Sequence, residues 1–531
     1  MRRKLFLNLN VLTQNKKNPK ATAFAVEDGK FIAVGAEEEI LQLKNDETEI
    51  INLRSSQSEK NKLIALPGFN DAHIHIWKVG NLLTYMLDLR GVKSIEEMQE
   101  KLFEYNNNNP ELDWIQARGF NEAFFTDGRI PNKNDINKVI KDKPVCIIRT
   151  CAHQIVVNSK ALEIAEINNL TRSPHGGEIK FLPNGELAGH FTETAIGLVL
   201  NKIPKYTAEQ YRKMILAAQD EFLKYGITSA TDPAVAEDLL EVYKQMDKNG
   251  ELKIRINAIS IRVPDGTNKI STNPNLYNSD NLKINAVKFF ADGGLSGKTA
   301  ALKNFYKNSN EHGVLRLEKN LFKKLARESH DAGFRIATHA IGDDAIEMVL
   351  NVYKEISTQN KNNINHRIEH LGFPSRENLQ LMKEFNISAV MQPIFIYELG
   401  KNFREYLPDD YLNFVYPAKS VLDSGVNLAL STDAPVVKNI NPFLNIKSAT
   451  DRKDFDGFEI ASNQNINLDD ALYAYTMGSA IANCDEKNIG SIEVGKFADF
   501  VVFDEKNFSD SQITNTHKVK STYISGELMK S

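Results

Sequence analysis

With 531 residues, 42% of them hydrophobic, the chain can bury a large core and form more than one structural unit. Charged residues make up a quarter of it and nearly cancel, to a net −4, so nothing points to a polyanion-binding surface or a long acidic tail. Three scattered cysteines, Cys146, Cys151 and Cys484, form no CxxC and are too few for a disulfide framework, which favours a reducing compartment.

Arg2, Arg3 and Lys4 ahead of Leu5-Phe6-Leu7 imitate a signal peptide, but Asn8 and Asn10 interrupt the apolar run and no small-residue cleavage site follows Leu12. No apolar run nears the roughly twenty residues of a membrane span. The expectation is a soluble cytoplasmic protein, with neither membrane nor nucleic acid as partner. A homo-oligomer is compatible with the sequence, although no interface is readable in it.

Ala23-Phe24-Ala25-Val26, the turn Glu27-Asp28-Gly29-Lys30 and Phe31-Ile32-Ala33-Val34-Gly35 predict a β-hairpin. The other end reads alike: Ile489-Gly490-Ser491-Ile492, Ala498–Phe503, Thr522-Tyr523-Ile524 and Gly526-Glu527. Neither set buries a core alone, so residues 1–63 and 486–531 are expected to pair into one small β-sandwich.

Residues 64–485 alternate strand and helix patterns. Strands are predicted at Leu63–His75, Gly226–Asp232, Ile254–Arg262, Ala286–Asp292, Phe334–His339, His366–His370, Ser388–Gln392 and Val426–Asp433. Helical spacing links several, as in Leu321, Phe322, Leu325 and Ala326, or Ile346, Val349, Leu350 and Tyr353. Eight strands with helices between them predict an α/β fold, a (β/α)8 TIM-type barrel. An open doubly wound sheet is disfavoured, since no GxGxxG follows the first strand. Residues from about 78 to 225 exceed one crossover. They hold a strand pattern at Val145–Thr150, a helix pattern at Ala161–Ile167, and loop signals at Asn106–Pro110, Gly176-Gly177 and Asn184-Gly185. They predict a subdomain inserted after the first barrel strand, placed to roof the site.

His73-Ile74-His75 puts two imidazoles two residues apart, on one side of a strand, where they can share a metal ion. In isolation the pair could equally be two ordinary strand histidines. Lys288 stands inside an apolar strand, an unusual place for a lysine unless it is paired or modified. His339, His370 and Asp433 each end a strand. From His339 to His370 is one βα unit, and from His370 to Asp433 is two. Hence Lys288, His339, His370 and Asp433 belong to strands 4, 5, 6 and 8, all at the rim where barrel active sites lie. His153 follows the insert strand, either as a roof donor to substrate or as a structural histidine. His366 shares strand parity with His370 but starts its strand, which favours a core role. His175, His190, His312, His330 and His517 sit in loop, turn or helical contexts and are read as ordinary. Cys146 and Cys151 lack a local basic partner and read as buried thiols. Gly293-Gly294 could cradle a phosphate but more simply lets the chain turn sharply, and Thr299–Arg316 is long enough to act as a lid, although a loop of this size can also be inert.

The set HxH, Lys, His, His, Asp, in that order, resembles the amidohydrolase superfamily. Leu66–His75 is similar to its opening motif, Gly226–Asp232 to its second strand and Gly490–Val501 to its closing segment. Arg149, His153, Asn158–Leu162, Gly189, Glu193 and Ala195 are similar to the YtcJ-like branch, amidohydrolase family 3. The resemblance covers essentially the whole chain. It implies a divalent metal, zinc first and iron or manganese as alternatives, at one or two ions per chain. His73 and His75 would hold one ion. His339 and His370 would hold a second or close the first site. Lys288, carboxylated on its amine, would bridge the two. Glu193 is the alternative bridging carboxylate. Asp433 would act as general base and pass its proton to the leaving group. The activity implied is hydrolysis of a carbon–nitrogen bond other than a peptide bond, in a small N-acyl or N-formyl compound. Lactone or ester cleavage and deamination of a cyclic amidine are the enzymatic alternatives. A barrel that retains metal but only binds its ligand is the non-enzymatic one.

Overall fold

The computed structural model describes residues 3–53, 63–174, 176–263, 270–359, 364–504 and 519–530. Its centre is an eight-stranded parallel sheet: β1 (Phe69–Asp71), β2 (Ile227–Val235), β3 (Arg255–Ile261), β4 (Leu282–Phe290), β5 (Arg335–Ala340), β6 (Arg367–His370), β7 (Ser388–Met391) and β8 (Leu428–Leu430). Each strand pairs with the next in sequence, as right-handed βα crossovers require. Just beyond β1 and β8 the Ala72 amide donates to the Leu430 carbonyl (3.3 Å) and the Asp433 amide to the His73 carbonyl (2.7 Å). These bonds bring the last strand back to the first, which is the TIM-type closure that the alternation of strands and helices predicts.

The helix layer follows from amphipathic periodicity. Lys319–Asp331 buries Phe322, Leu325 and Ala326, and Asp343–Gln359 buries Ile346, Val349, Leu350 and Tyr353, all against one continuous core. His366 is buried in that layer with His330, whose Nδ1 lies 3.0 Å from His366 Nε2.

Two sheets formed by the chain ends flank the barrel. One joins Lys30–Gly35, Ala23–Glu27, Lys4–Leu7 and Glu49–Asn52. The other joins Glu527–Lys530, Ser521–Ile524, Phe500–Asp504, Leu63–Pro67, Leu9–Leu12 and Lys20–Ala21. Phe6, Phe24, Phe31, Phe500 and Tyr523 pack between them, with Phe24 and Phe500 at 4.8 Å. The predicted hairpin turns at Asp28 and Gly29, both at positive φ, as a two-residue turn demands.

The strand expected over Leu63–His75 is in fact two strands in different sheets. Leu63–Pro67 pairs with Phe500–Asp504, and only Phe69–Asp71 enters the barrel. The switch falls at Gly68, where a Cβ would stand 2.0 Å from Thr228 Oγ1. No side chain fits there, so the backbone can press against β2 and change sheets.

The inserted segment carries a six-stranded sheet, in the order Gly177–Phe181, Leu187–Glu193, Gln154–Val157, Val145–Arg149, Ile115–Phe120, Leu87–Asp88. Two expectations need correction. Asn106–Asn108 is not loop: helix Ile95–Asn108 buries Ile95, Met98 and Leu102 and continues through the asparagines until Pro110 stops it. Ala208–Lys224 is a barrel helix, burying Ile215, Ala218 and Phe222 in the barrel core. It lies so close to helix Ile76–Thr84 that a Cβ on Gly80 would meet the Met214 carbonyl oxygen at 1.8 Å. Among the described residues no helix is long and apolar enough to cross a membrane.

Candidate active site

The HxH pair is not on a strand. β1 ends at Asp71, and His73 and His75 lie in the turn that leads into helix Ile76–Thr84, with His75 at its N-cap. Backbone bonds hold this turn in place. His75 N donates to Ala434 O (2.9 Å), Ile74 N to Thr231 O (2.9 Å) and His73 N to the Asp71 carboxylate (3.2 Å). Asp71 also accepts from Thr432 Oγ1 and Tyr475 OH, and burial raises its pKa to about 6. The two imidazoles share a side because tertiary bonds fix the turn, not because of strand alternation.

His73 Nε2 and His75 Nε2 converge on Asp433 Oδ1, at 3.4 and 3.3 Å. Their ligand atoms lie within 4.8 Å of one another, close enough to share an ion. Asp433 follows β8 at φ 59, a left-handed conformation that turns its carboxylate back over the rim. His370, at φ 75, does the same at the end of β6. That turn brings it over the barrel mouth, its ring 4.9 Å from His73 and 4.5 Å from His339. Lys288, two residues before the end of β4 and only 1% exposed, has its Nζ 5.1 Å from the centre of the Phe290 ring. His73, His75, Lys288, His339, His370, Asp433 and His153 all line one cavity.

The side chains that aim these groups were not singled out in the sequence. Glu369 accepts from His73 Nδ1 at 2.5 Å while Arg367 clamps it through Nε and NH2, at 2.5 and 2.9 Å. The Glu369 carboxylate on Nδ1 turns His73 Nε2 towards Asp433. Gln392 Nε2 donates to Ser431 Oγ (2.8 Å), so its Oε1 faces His370 Nδ1 (2.7 Å) and leaves His370 Nε2 as the donor atom. His339 turns Nε2 to the Gly293 carbonyl at 3.0 Å. A signal for Glu369 does exist in the sequence: in His366-Arg367-Ile368-Glu369 the charged residues alternate, and an inward-facing ion pair at a barrel mouth needs a purpose.

The electrostatics suit a divalent cation. Burial, helped by Lys78, drives His75 down to about 3, and burial, helped by His73 and Lys288, does the same to His370. Burial, with His370 and Lys288 close by, holds His339 well below its ordinary value. Asp433 stays well below the usual carboxylate range despite burial, because His73 and His75 face it. The imidazoles of His75, His339 and His370, kept neutral beside an ionised carboxylate, are the kind of donors a metal ion needs. Glu369→Gln is expected to weaken metal binding ten- to hundredfold, as loss of an orienting carboxylate does. Breaking the buried pair with Arg367 should also cost about 3–5 kcal/mol of stability. Chelator competition and thermal melting test both effects, and unchanged metal affinity would remove Glu369 from this role.

Two expected roles look different in three dimensions. Glu193 does not stand with His73, His75 and Asp433. Its Oε2 is 2.9 Å from His153 Nδ1 and 3.4 Å from Arg316 Nε. His153 is raised to about 9: burial opposes the charge, but the Glu193 carboxylate outweighs it. Thr299–Arg316, considered as a lid, is packed at its base while its tip is exposed. Ala300, Ala301, Leu302 and Tyr306 are buried, and Asp292 accepts from the amides of Ala301, Ile341 and Gly342. Arg149 is paired with Glu122, and Asn158 caps helix Ser159–Ile164, so these branch-like residues are structural. Burial raises the Cys146 thiol to about 12, which makes it inert. His190 bonds Gln154, and His312 lies 6.1 Å from the Phe305 ring. His175 and His517 lie outside the described residues.

The chain is similar to known proteins over nearly its whole length. The chain is 28% identical to the putative amidohydrolase YtcJ of Bacillus subtilis over 98% of both chains. It is 24% identical to the N-substituted formamide deformylase of Arthrobacter pascens, over 95% of this chain and 94% of that one. The crystal structure of an uncharacterized metal-dependent hydrolase from Pyrococcus horikoshii superposes with a TM-score of 0.75 at 27% identity, covering 95% of this chain and 97% of the other. The amidohydrolase family model matches residues 61–529, almost the whole chain from β1 to the last sheet, and the chain therefore belongs to the amidohydrolase family.

Proposed function

We propose that the protein hydrolyses an amide-type carbon–nitrogen bond in a small N-acyl or N-formyl compound. The observation that carries this reading is the convergence of His73 and His75 on Asp433 in a cavity that Lys288, His339, His370 and His153 also line. His73, His75 and Asp433 would hold one divalent ion, which we take to be zinc, with His339 and His370 available to a second. When bound, such an ion polarises the scissile carbonyl and acidifies water. Carbon dioxide adding to the neutral Lys288 amine, with loss of a proton, would give a carbamate and turn a buried cation into an oxygen-donor anion between the two positions.

The remaining steps belong to side chains. Asp433 takes one proton from the attacking water and delivers it to the leaving nitrogen as the carbon–nitrogen bond breaks, giving an amine and a carboxylic acid that then loses its own proton to solvent. His153, cationic because Glu193 faces it, donates a hydrogen bond to the developing oxyanion. The similarity to a deformylase of N-substituted formamides supports the amide reading. Metal-loaded protein assayed on matched N-formyl amines, N-acetyl amines, esters, lactones and cyclic amidines tests it. Release of amine, lost on chelation and regained with zinc, is the expected result. Turnover confined to esters and lactones, or to ring amidines, would overturn it, as would no turnover at all.

A further inference from the structure

Helix Ile394–Tyr406, which follows β7, forms a wall between two cavities. Phe395, Leu399 and Phe403 recur every fourth residue on one face and line the catalytic cavity. Tyr397 and Glu398, on the next face, line an outer cavity, and Leu399 borders both. The partition is thin on the opposite side too. Thr150 lines the outer cavity and its neighbour Cys151 the inner one. Thr150 Oγ1 donates to the carbonyl of Val436, another inner lining residue, at 2.7 Å. The outer cavity thus lies between the barrel rim and the inserted subdomain, a common place for a ligand, and one side chain away from the catalytic cavity.

The sizes of the two spaces decide what each can hold. The catalytic cavity offers about 70 Å³ and the outer one about 430 Å³. An apolar cavity of roughly 150 Å³ takes up a benzene ring. A ring therefore fits the outer space with room to spare and does not fit the inner one. A carbonyl placed over His73, His75 and Asp433 can carry one short substituent, a hydrogen or a methyl. The other substituent has its room beyond Leu399.

The outer cavity presents ring faces. Phe124 comes from the insert, Tyr397 from the helix and Phe455 from the loop Arg452–Ile460. Phe455 is 64% exposed and yet held in place. Its amide donates to the Tyr397 carbonyl at 2.9 Å, and its ring stands 5.7 Å from the Tyr397 ring. Asp454 braces the same loop, accepting from the Phe458 amide at 2.9 Å and from Arg404 Nε at 2.8 Å. An aromatic face kept in water beside a cavity forfeits burial that a second ring laid on it would recover. The polar side chains nearby are engaged in the protein. Arg90 holds Asp88 and the carbonyls of Val437 and Lys438, and Glu398 accepts from the amides of Lys438 and Asn439. Lys93 and Lys438 also line the cavity, but both are exposed and their charge is met by water.

We infer that the outer cavity is a second substrate compartment, which takes an aromatic ring joined by a short spacer to the nitrogen of the scissile amide. Phe455 and Tyr397 select the ring, and the compounds cleaved are N-formyl or N-acetyl arylalkylamines. The bond cleaved rests on the amide-hydrolysis reading, which puts the short group on the carbonyl carbon. The ring site itself does not.

Binding and cleavage are therefore measured apart. Methanesulfonamides of phenylalkylamines, with spacers of roughly one to four methylenes, have no carbonyl to cleave and span the reach past one side chain. Each would be titrated calorimetrically into metal-loaded protein beside its cyclohexyl analogue and the matching alkyl compound without a ring. At the best spacer the phenyl compound is expected to bind at least about tenfold more tightly than the ringless one, the low end for burying a phenyl group. It should bind at least about threefold more tightly than the cyclohexyl compound, which cannot stack. Phe455→Ala removes an exposed side chain, so the melting temperature should hold while the phenyl-to-ringless ratio falls at least about threefold. Tyr397→Ala should lower the same ratio, and Leu399→Trp, which fills the partition, should abolish it. No gain from the ring at any spacer length would overturn the proposal. So would cyclohexyl binding as tight as phenyl, or a gain that survives both Phe455→Ala and Tyr397→Ala. Cleavage of arylalkanamides in place of N-formyl arylalkylamines would move the ring to the acyl side and overturn the assignment. Ring-selective binding with no cleavage of any amide upholds the compartment and sinks the hydrolysis reading. Cleavage of N-formyl amines at rates indifferent to the ring does the reverse.

Discussion

Asp433→Asn is expected to lower kcat by about 10³-fold on the best amide substrate while leaving the chain folded, the middle of the range that general acid–base catalysis contributes. The two side chains share shape and an acceptor oxygen towards His73 and His75, so the local packing survives. What disappears is the negative charge, which His73 and His75 keep ionised despite burial, and with it the site that accepts the proton. Metal should largely remain, because His73 and His75 stay in place, His73 on Glu369 and His75 through its amide on Ala434. The measurement is kcat beside metal per chain and melting temperature. Activity within tenfold of wild type would remove Asp433 from the proton path. Metal lost in proportion to activity would make it chiefly a ligand. A wild type that turns over nothing would leave the chain as a metal-retaining binding protein.

The candidate ligand set was legible in the sequence because barrel chemistry sits at strand ends and strand ends recur at intervals of about one βα unit. Lys288, His339 and His370 fall on β4, β5 and β6, and Asp433 falls just past β8. Local periodicity also gave the hairpin at Asp28-Gly29 and the buried faces of the two long barrel helices. Three things were not legible, each because a tertiary contact decides them. The run from Leu63 to His75 looks like one strand, and only the approach of Thr228 to Gly68 shows why it changes sheets. His73 and His75 form a recognisable motif, but Asp71, Thr231 and Ala434 set their directions, not the spacing of two. Glu369 and Gln392 act on groups outside their own sequence neighbourhood, as in the 296 residues between His73 and Glu369. A side chain whose purpose is to hold another leaves little trace in its own neighbourhood. Glu193 shows the converse. It stands in a motif-like context, and only the fold shows it engaged by His153 and Arg316.

Lys288→Ala is expected to reduce metal content from near two ions per chain to one or fewer and to lower kcat/KM by at least about 10²-fold, the scale on which a lost metal-site group acts. The lysine is buried among groups that take their protonation from one another: His339 and His370 are both pushed towards neutrality by its charge, and Glu369 is held ionised in part by it. As a plain ammonium it would repel a cation bound at His73 and His75. As a carbamate it would attract one and leave His339 and His370 to complete a second position. The two states therefore predict opposite effects of removing it. Loss of an ammonium should tighten or leave unchanged a single bound ion. Loss of a bridging carbamate should release one, and short-chain carboxylates added to the Lys288→Ala protein should restore part of both metal content and activity. Elemental analysis of wild type and variant, each prepared with bicarbonate and zinc, decides between them. Two ions falling to one or fewer supports the bridge. One ion in both proteins makes Lys288 structural and assigns the chemistry to a single ion held by His73, His75 and Asp433.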